Sequence, residues 1–352
     1  MPPELLNLEQ ALTGSELLTY AGNLPAPQNY LADLLFPSRE TSELTVDVIR
    51  EASRLPVMAQ IGELGTQAEY GSREGAVASK IQIPKIQRAR AMDEKLVRLL
   101  LQEGLRPNEF AEIRRTQLDD VSYTVDAIRA RKEWIAMQAI STGAVTYAEG
   151  GVQFAVDFGF TSAQKPVLTG QDLWSDTVNS KPLEDLYAWT SAAADRGILL
   201  TRAMTSRQII THLRQNLSIR QAYHGKETAP NLKLSELNEL MAAENLPLIA
   251  EYDTVARVEG RAAVNGRPSF SNVRMMPQNR FVLLPDGPLG DYLWAQTTEE
   301  MMSEIEAAET AEDGIYVFRK LNEHPIRVET IGVNLAFPAF GYNDAVVAAT
   351  VI

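Results

Sequence analysis

Between Arg73 and Arg98 the chain places seven basic residues (Arg73, Lys80, Lys85, Arg88, Arg90, Lys95, Arg98) against three acids (Glu74, Asp93, Glu94), a local balance of +4 in a chain whose formal charge is −13. The chemistry open to such a run is the pairing of cations with carboxylates or phosphates; a solvated basic face is the plain alternative. Residue types that do covalent work are scarce or scattered. There is no cysteine, which removes thiolate nucleophiles, thiolate metal sites and disulfides. His212, His224 and His324 are the only histidines and fall in different elements. The sequence has no phosphate loop, dinucleotide fingerprint, nucleophile elbow or His-Glu-x-x-His helix. No Asp or Glu stands out in an apolar setting that would raise its pKa. The sequence therefore assigns no catalytic, cofactor-binding or metal-ligating residue, and the expectation is a protein that is not an enzyme.

The basic run belongs to a segment in which Gly62, Gly65, Gly71 and Gly75 keep a helix from forming. Val57, Ala59 and Ile61 alternate on one flank and Ile81 and Ile83 on the other, so 56–93 reads as an extended loop with strand-like sides and a polar tip. A connection of that length without its own fold needs an outside partner. Asp93 caps a helix whose Leu96, Val97, Leu100 and Leu101 share a face, ended by Gly104 before Pro107. Thr116 with Asp119 three residues on looks like a capping box. The series Leu118, Val121, Val125, Ile128, Ile135 and Ala139, with Lys132 at the missing step, predicts a helix over 116–142. Such a helix is roughly 40 Å long at about 1.5 Å per residue, and Gly143 is placed to close it.

Residues 1–55 hold only short pieces, helical at Leu5–Leu12, Ser15–Tyr20 and Leu31–Phe36 and strand-like at Leu44–Ile49, none able to fold alone. After the long helix, Val152, Phe154, Val156 and Phe158 alternate behind the turn Glu149-Gly150-Gly151 and predict a hairpin. Trp174 anchors an irregular crossing over 160–180. From Lys181 the pattern becomes helices at Leu183–Ala194, Ser206–Asn216 and Leu234–Met241 with strands at Leu246–Tyr252 and Phe281–Leu284, a small sheet with helices packed on it. Seven acids and no base between Glu299 and Asp313 read as a solvated helix face. Ile315–Phe318, Ile326–Val333 and Ala345–Ile352 read as strands, the last expected to return to the first domain's sheet.

The run Ile61-Gly-Glu-Leu-Gly65, the segment Ile83-Pro-Lys-Ile-Gln-Arg-Ala-Arg90, the helix end Gln138-Ala-Ile-Ser-Thr-Gly143 and the hairpin Val145–Phe158 together resemble the lambda-type major capsid proteins of tailed bacteriophages, and the resemblance continues to the C-terminus. It implies an α+β protein of the Hong Kong-type phage capsid fold. The implied parts are an N-terminal arm over 1–55, an extended loop over 56–93, and a peripheral domain whose first part, 94–181, contains the spine helix 116–142. An axial domain over 182–313 and a return to the peripheral domain over 314–352 complete it. The implied function is a structural shell protein that assembles into homo-pentamers and homo-hexamers of an icosahedral head enclosing double-stranded DNA. The alternatives are an encapsulin-like compartment shell or an uncharacterised enzyme. Portal, scaffolding and decoration proteins are the implied partners, and the host cytoplasm and then the virion the implied locations. On this reading Arg73, Lys80, Lys85, Arg88 and Arg90 make inter-subunit loop contacts, the arm packs largely on a neighbouring subunit, and exchanging Arg88 and Arg90 for glutamate leaves the subunit folded. Cross-linking known among some relatives is not carried over, because no lysine, asparagine and acid trio matches.

Composition fits this expectation. The chain of 352 residues is 45% hydrophobic, enough for a sizeable core. An excess of 46 acids over 33 bases argues against specific DNA binding, which draws its affinity from clustered cations releasing counterions, and suits a wall that does not grip phosphate. The first twenty residues lack the basic and apolar regions of a signal peptide, and no apolar window is long enough to span a membrane. No cofactor is expected.

Overall fold

The computed structural model describes residues 13–25, 27, 29–50, 77–92, 94, 97–98, 107–149, 152–226, 230–260, 269–302, 313–323 and 326–352. In chain order the helices are α1 (Gly14–Gly22), α2 (Ala32–Leu35), α3 (Pro107–Thr142), α4 (Pro182–Ala194), α5 (Arg207–Gln215), α6 (Leu217–His224), α7 (Leu234–Ala243) and α8 (Thr298–Met301). The strands of the first half are β1 (Ser38–Thr41), β2 (Thr45–Arg50), β3 (Val77–Gln82), β4 (Lys85–Ala91), β5 (Ala144–Glu149) and β6 (Val152–Asp157). They are followed by β7 (Leu200–Thr205), β8 (Leu248–Glu251), β9 (Val255–Glu259), β10 (Phe270–Arg274), β11 (Arg280–Pro285), β12 (Asp291–Ala295), β13 (Tyr316–Glu323), β14 (Ile326–Ala339) and β15 (Val347–Thr350).

The chain divides into two units, one of Met1–Val46, Ile81–Ala136 and Gly290–Ala339, the other of Asp47–Lys80, Met137–Leu289 and Phe340–Ile352. The sequence had placed boundaries at 181 and 313.

The first unit is built on a sheet ordered β1-β12-β14-β13, with β4 also paired to β14. The register sets Arg90 opposite Thr330 and Arg88 opposite Gly332. The returning side of the expected loop is thus a strand of this sheet from Lys85 onward. Helix α3 lies against the sheet at Gly332, where an added Cβ would stand 3.0 Å from Ile128 Cδ1 and 3.2 Å from Thr124 Cβ. Glycine in mid-strand suits this close helix-to-sheet approach, since a Cβ would make Ile128 and Thr124 give by a few tenths of an ångström. Ile113, Val121, Val125, Ile128 and Ala136 are buried along α3.

The helix is 36 residues long, about 54 Å at ~1.5 Å per residue, and starts at Pro107 instead of Thr116. Thr116 Oγ1 donates to the Glu112 carbonyl, a mid-helix contact, so the apparent capping box is not a start. Proline at the first helical position, where no N–H is needed, was the better marker. Helix α1 begins with a capping box in which Thr13 and Glu16 exchange bonds, and it docks Leu18 on Tyr316 and Val333. The arm's described part therefore packs on its own chain, correcting the expectation that it lies on a neighbour: Leu17, Leu18 and Ala21 of α1 find an apolar surface without one.

The second unit holds a sheet ordered β15-β11-β7-β8. Strand β8 is parallel to β7, while β11 is antiparallel to β7 and to β15. Helices α4 to α7 contribute Leu186, Ile209, Leu213, Ile219, Leu237 and Met241 to the same apolar cluster as Phe281, Leu283, Val347 and the buried Trp174. The last strand therefore belongs to this sheet, and its expected return to the first sheet is corrected. Its apolarity announces burial without naming the sheet. The choice is made by the crossing segment, where Gln164 Nε2 donates to the carbonyls of Asn343 and Val346 and Trp174 N donates to the Val351 carbonyl. On the outer edge of β8, the Asn238 amide bonds both the N–H and the carbonyl of Ile249, at 2.9 and 3.0 Å.

Gly143 closes α3 with φ +71°, and a Cβ there would lie 2.5 Å from Phe160 Cγ. Exchanging it for alanine imposes left-handed strain worth roughly 1–3 kcal/mol and displaces a buried ring. Gly143→Ala is expected to lower the urea midpoint with an unchanged slope; an unaltered midpoint would remove the glycine's role.

Candidate functional site

The structure brings three of the five candidate cations to the side of the sheet at β4. Ile86, Arg88 and Arg90 alternate toward α3. Arg88 Nε donates to Tyr123 Oη at 3.1 Å, and the guanidinium carbons of Arg88 and Arg90 lie 5.4 and 4.8 Å from the Tyr123 ring centroid. Arg90 Nε is 3.2 Å from Asp120 Oδ1. Lys85 pairs with Glu299 at the start of α8. Lys80, in β3, is exposed, and Arg73 falls outside the described residues. The helix beginning at Asp93 is described only at 94, 97 and 98, and most of the acidic run after Met302 also lies outside.

Asp120 overturns the reading that no carboxylate stands in an apolar setting. It is buried, Arg90 serves one oxygen, and its Oδ2 has no hydrogen-bond partner among the described residues. Burial pushes its carboxyl up to about 6 against the pull of Arg90, with Asp119 adding to the push. Gln117, one turn earlier, is also fully buried with its amide unpartnered there. Exchanging the half-exposed Arg90 for glutamate would take the cation from Asp120 and set a second carboxylate beside it, which bears on the expectation that the Arg88 and Arg90 double exchange leaves the subunit folded.

A second set of charges lies farther along α3. Arg129 Nε donates to Asp313 Oδ2 at 3.1 Å and Arg129 Nη1 to the Leu24 carbonyl at 2.7 Å. Lys132 is 3% exposed; its Nζ sits 4.0 Å from Asp313, 3.9 Å from Asp33 and 4.9 Å from the Tyr292 ring centroid. Burial pulls its pKa down, while the carboxylates of Asp313 and Asp33 oppose that and Arg129 adds to it. Glu133 is fully buried and accepts from Leu31 N at 3.0 and 3.1 Å and from Ala32 N at 2.8 Å, capping the start of α2. The sequence mark of this cluster was Lys132 itself, a cation at an apolar step of the helical period. Glu133 and Arg129 gave no such mark. Among the described residues no group of three His, Asp or Glu could hold a metal ion, and no helix is long and apolar enough to cross a membrane.

The fold is similar to that of solved phage proteins. A chain assigned as a prophage capsid protein of Escherichia coli CFT073 superposes with a TM-score of 0.59 at 13% identity, over 96% of this chain and 99% of that one. A phage-related protein of Bordetella bronchiseptica RB50 does so with a TM-score of 0.54 at 13% identity, over 95% of each. No curated protein sequence matches the chain. A long helix laid on a mixed sheet, with a separate helix-covered sheet after it, is here the Hong Kong-type capsid fold. Residues 13–351 match the family model for phage major capsid protein E, and the chain belongs to that family. Its role is that of a structural subunit of a phage shell.

Two outcomes follow from the buried charges. The native state holds a proton on Asp120 up to about pH 6, whereas an unfolded aspartate releases it near ~4. Stability from this group is fully present below that lower value and is lost as pH rises through about 6. Asp120→Asn is expected to flatten thermal stability between about pH 4 and 6 and to raise it at pH 7.5 by on the order of 1–3 kcal/mol. A variant as pH-sensitive as the parent would dismiss Asp120 as the source. Glu133→Ala leaves two buried amides without their acceptor, at a cost of roughly 1–3 kcal/mol each. Chymotrypsin should then cut at Tyr20, Tyr30 or Phe36 faster than in the parent, with circular dichroism unchanged; equal cutting rates would show that the segment is held by other contacts.

Proposed function

We propose that this subunit forms homo-pentamers and homo-hexamers that close into the icosahedral head of a phage around double-stranded DNA. The observation that carries this reading is the match of residues 13–351 to phage major capsid protein E. The acidic chain, at −13, supports a wall that encloses DNA without binding it specifically. On this proposal the subunit assembles in the host cytoplasm, meets portal, scaffolding and decoration proteins there, and ends in the virion; it uses no cofactor and performs no catalysis. The part of the expected axial region that falls in the second unit, 182–289, gathers around the five- and six-fold centres.

The loop over 56–93 reaches a neighbouring subunit. Within it Lys85, Arg88 and Arg90 hold the loop's root to its own chain, Lys80 is exposed, and on this proposal Lys80 and Arg73 are the cations that meet the neighbour. Exposed ion pairs each contribute about 0–1 kcal/mol, but repetition in every subunit of a closed shell multiplies the consequence.

Electron microscopy of the purified protein tests the reading: closed shells of uniform size are expected, and a preparation of monomers alone across salt and pH would overturn it. Arg73→Glu with Lys80→Glu should leave the subunit's melting unchanged while reducing shell yield, most at low ionic strength where like charges repel farther. Normal yield at low salt would leave the two cations merely solvated.

A further inference from the structure

Strands β9 and β10 form a ribbon that pairs with no other strand among the described residues. The register sets Phe270 opposite Glu259, Asn272 opposite Arg257 and Arg274 opposite Val255, so these six residues share one face. That face is open: Val255 is 43% and Phe270 50% exposed, and Arg257 stacks over the Phe270 ring with its guanidinium carbon 4.3 Å from the centroid. A two-stranded ribbon by itself is marginal in water. Arginine and phenylalanine are both enriched at protein interfaces relative to the rest of the surface. From Val255 to Arg274 the sequence has four arginines and one glutamate.

The same unit carries a surface of opposite character. Glu244 sits at the C-terminal cap of α7, where the helix end is already negative, and it is exposed. A carboxylate in that position is unfavourable unless a cation or donor meets it. Its described bond is from the Tyr187 hydroxyl, and Tyr187 is itself 40% exposed. Leu248, four residues on, is 51% exposed at the start of the edge strand β8. Tyr187 and Glu244 thus offer an exposed ring bonded to a carboxylate, with Leu248 exposed at the start of the neighbouring strand, while Val255, Phe270 and Arg257 offer an apolar and basic face.

We propose that the β9–β10 ribbon of one subunit docks on the Tyr187, Glu244 and Leu248 patch of the next copy in the ring, Arg257 meeting Glu244 and Phe270 covering Leu248. The inference rests on the shell reading above and names the contact that reading leaves open. The charge complementarity is between two different patches of one chain. Contact between copies is therefore head to tail, the type that generates rings when the rotation closes.

The chain's lack of cysteine makes the test direct, since an engineered pair is the only pair present. In particles of the Arg257→Cys, Glu244→Cys double variant, a short bis-maleimide is expected to give a ladder of linked chains on denaturing gels, with neither single variant giving more than background. Particles that form but give no ladder, or give only a faster-running monomer linked to itself, would overturn the docking while leaving the shell reading intact. Should the cysteine variant fail to assemble, a charge swap decides. Arg257→Glu and Glu244→Arg should each cut particle yield about tenfold or more, and their combination should restore it to within about twofold, as complementary interface charges do. Yields unmoved by the single swaps, or not restored by the double, would overturn the proposal. Failure of the unaltered chain to form particles under any condition would instead defeat the shell reading and the docking with it.

Discussion

The cost of taking charge out of water governs the first unit. Arg129, Lys132 and Glu133 occupy consecutive turns of α3 on the side that meets protein, and an ionised group there persists only with a partner. The partners come from far away in the chain: the Leu24 carbonyl, the amides of Leu31 and Ala32, and the carboxylate of Asp313. Segments near residue 30 and residue 313 are thereby obliged to arrive at one stretch of helix. Apolar contacts such as Leu18 on Tyr316 and Val333 add burial energy, but they tolerate sliding. A carboxylate that must cap two named amides does not, so register is set by the polar contacts and stability by the apolar ones.

Nearer the start of the same helix, on its opposite side, the polar chemistry is less completely satisfied. Tyr123 receives two arginines from β4, and Asp120 receives one of them while its other oxygen has no hydrogen-bond partner among the described residues. The root of the loop is therefore tied to the helix by contacts that include a strained ionisation. Gly332 allows the tie by letting helix and sheet approach until Ile128 fills the space a side chain would take.

Much of this architecture was legible in the sequence, and the limits have physical causes. Periodicity gave α3, because apolar residues at helical spacing persist over many turns, and Gly143 marked its end because a left-handed closing residue has few substitutes. The helices at Leu183–Ala194, Ser206–Asn216 and Leu234–Met241 were readable for the same reason and the strand around Phe281 as a short apolar run, whereas α6 was not foreseen. The start of α3 was misplaced because Thr116 and Asp119 satisfy the letter of a capping box while Thr116 bonds backward within the helix. Strands β1, β7, β9, β10 and β12 were not foreseen. Strand β1, Ser38–Thr41, has no alternation of burial, and its pairing with β12 joins residues more than 250 positions apart. The partners of the basic run were invisible for a related reason: sequence shows that Arg88 and Arg90 are cations, whereas only the fold shows that a tyrosine and a buried aspartate on α3 stand opposite them.

Asn238 bears on how such a protein can associate. An edge strand with free amides and carbonyls is a template on which another strand can be laid, and a subunit present in many copies at high local concentration is the one most exposed to that fate. By occupying both backbone groups of Ile249, the Asn238 side chain closes that outlet on β8. Association at this edge then has to proceed through side chains, whose shape and charge specify an angle, and not through backbone ladders, which extend indefinitely in one direction. A contact that fixes an angle can curve a growing surface back on itself; a ladder grows into a fibre.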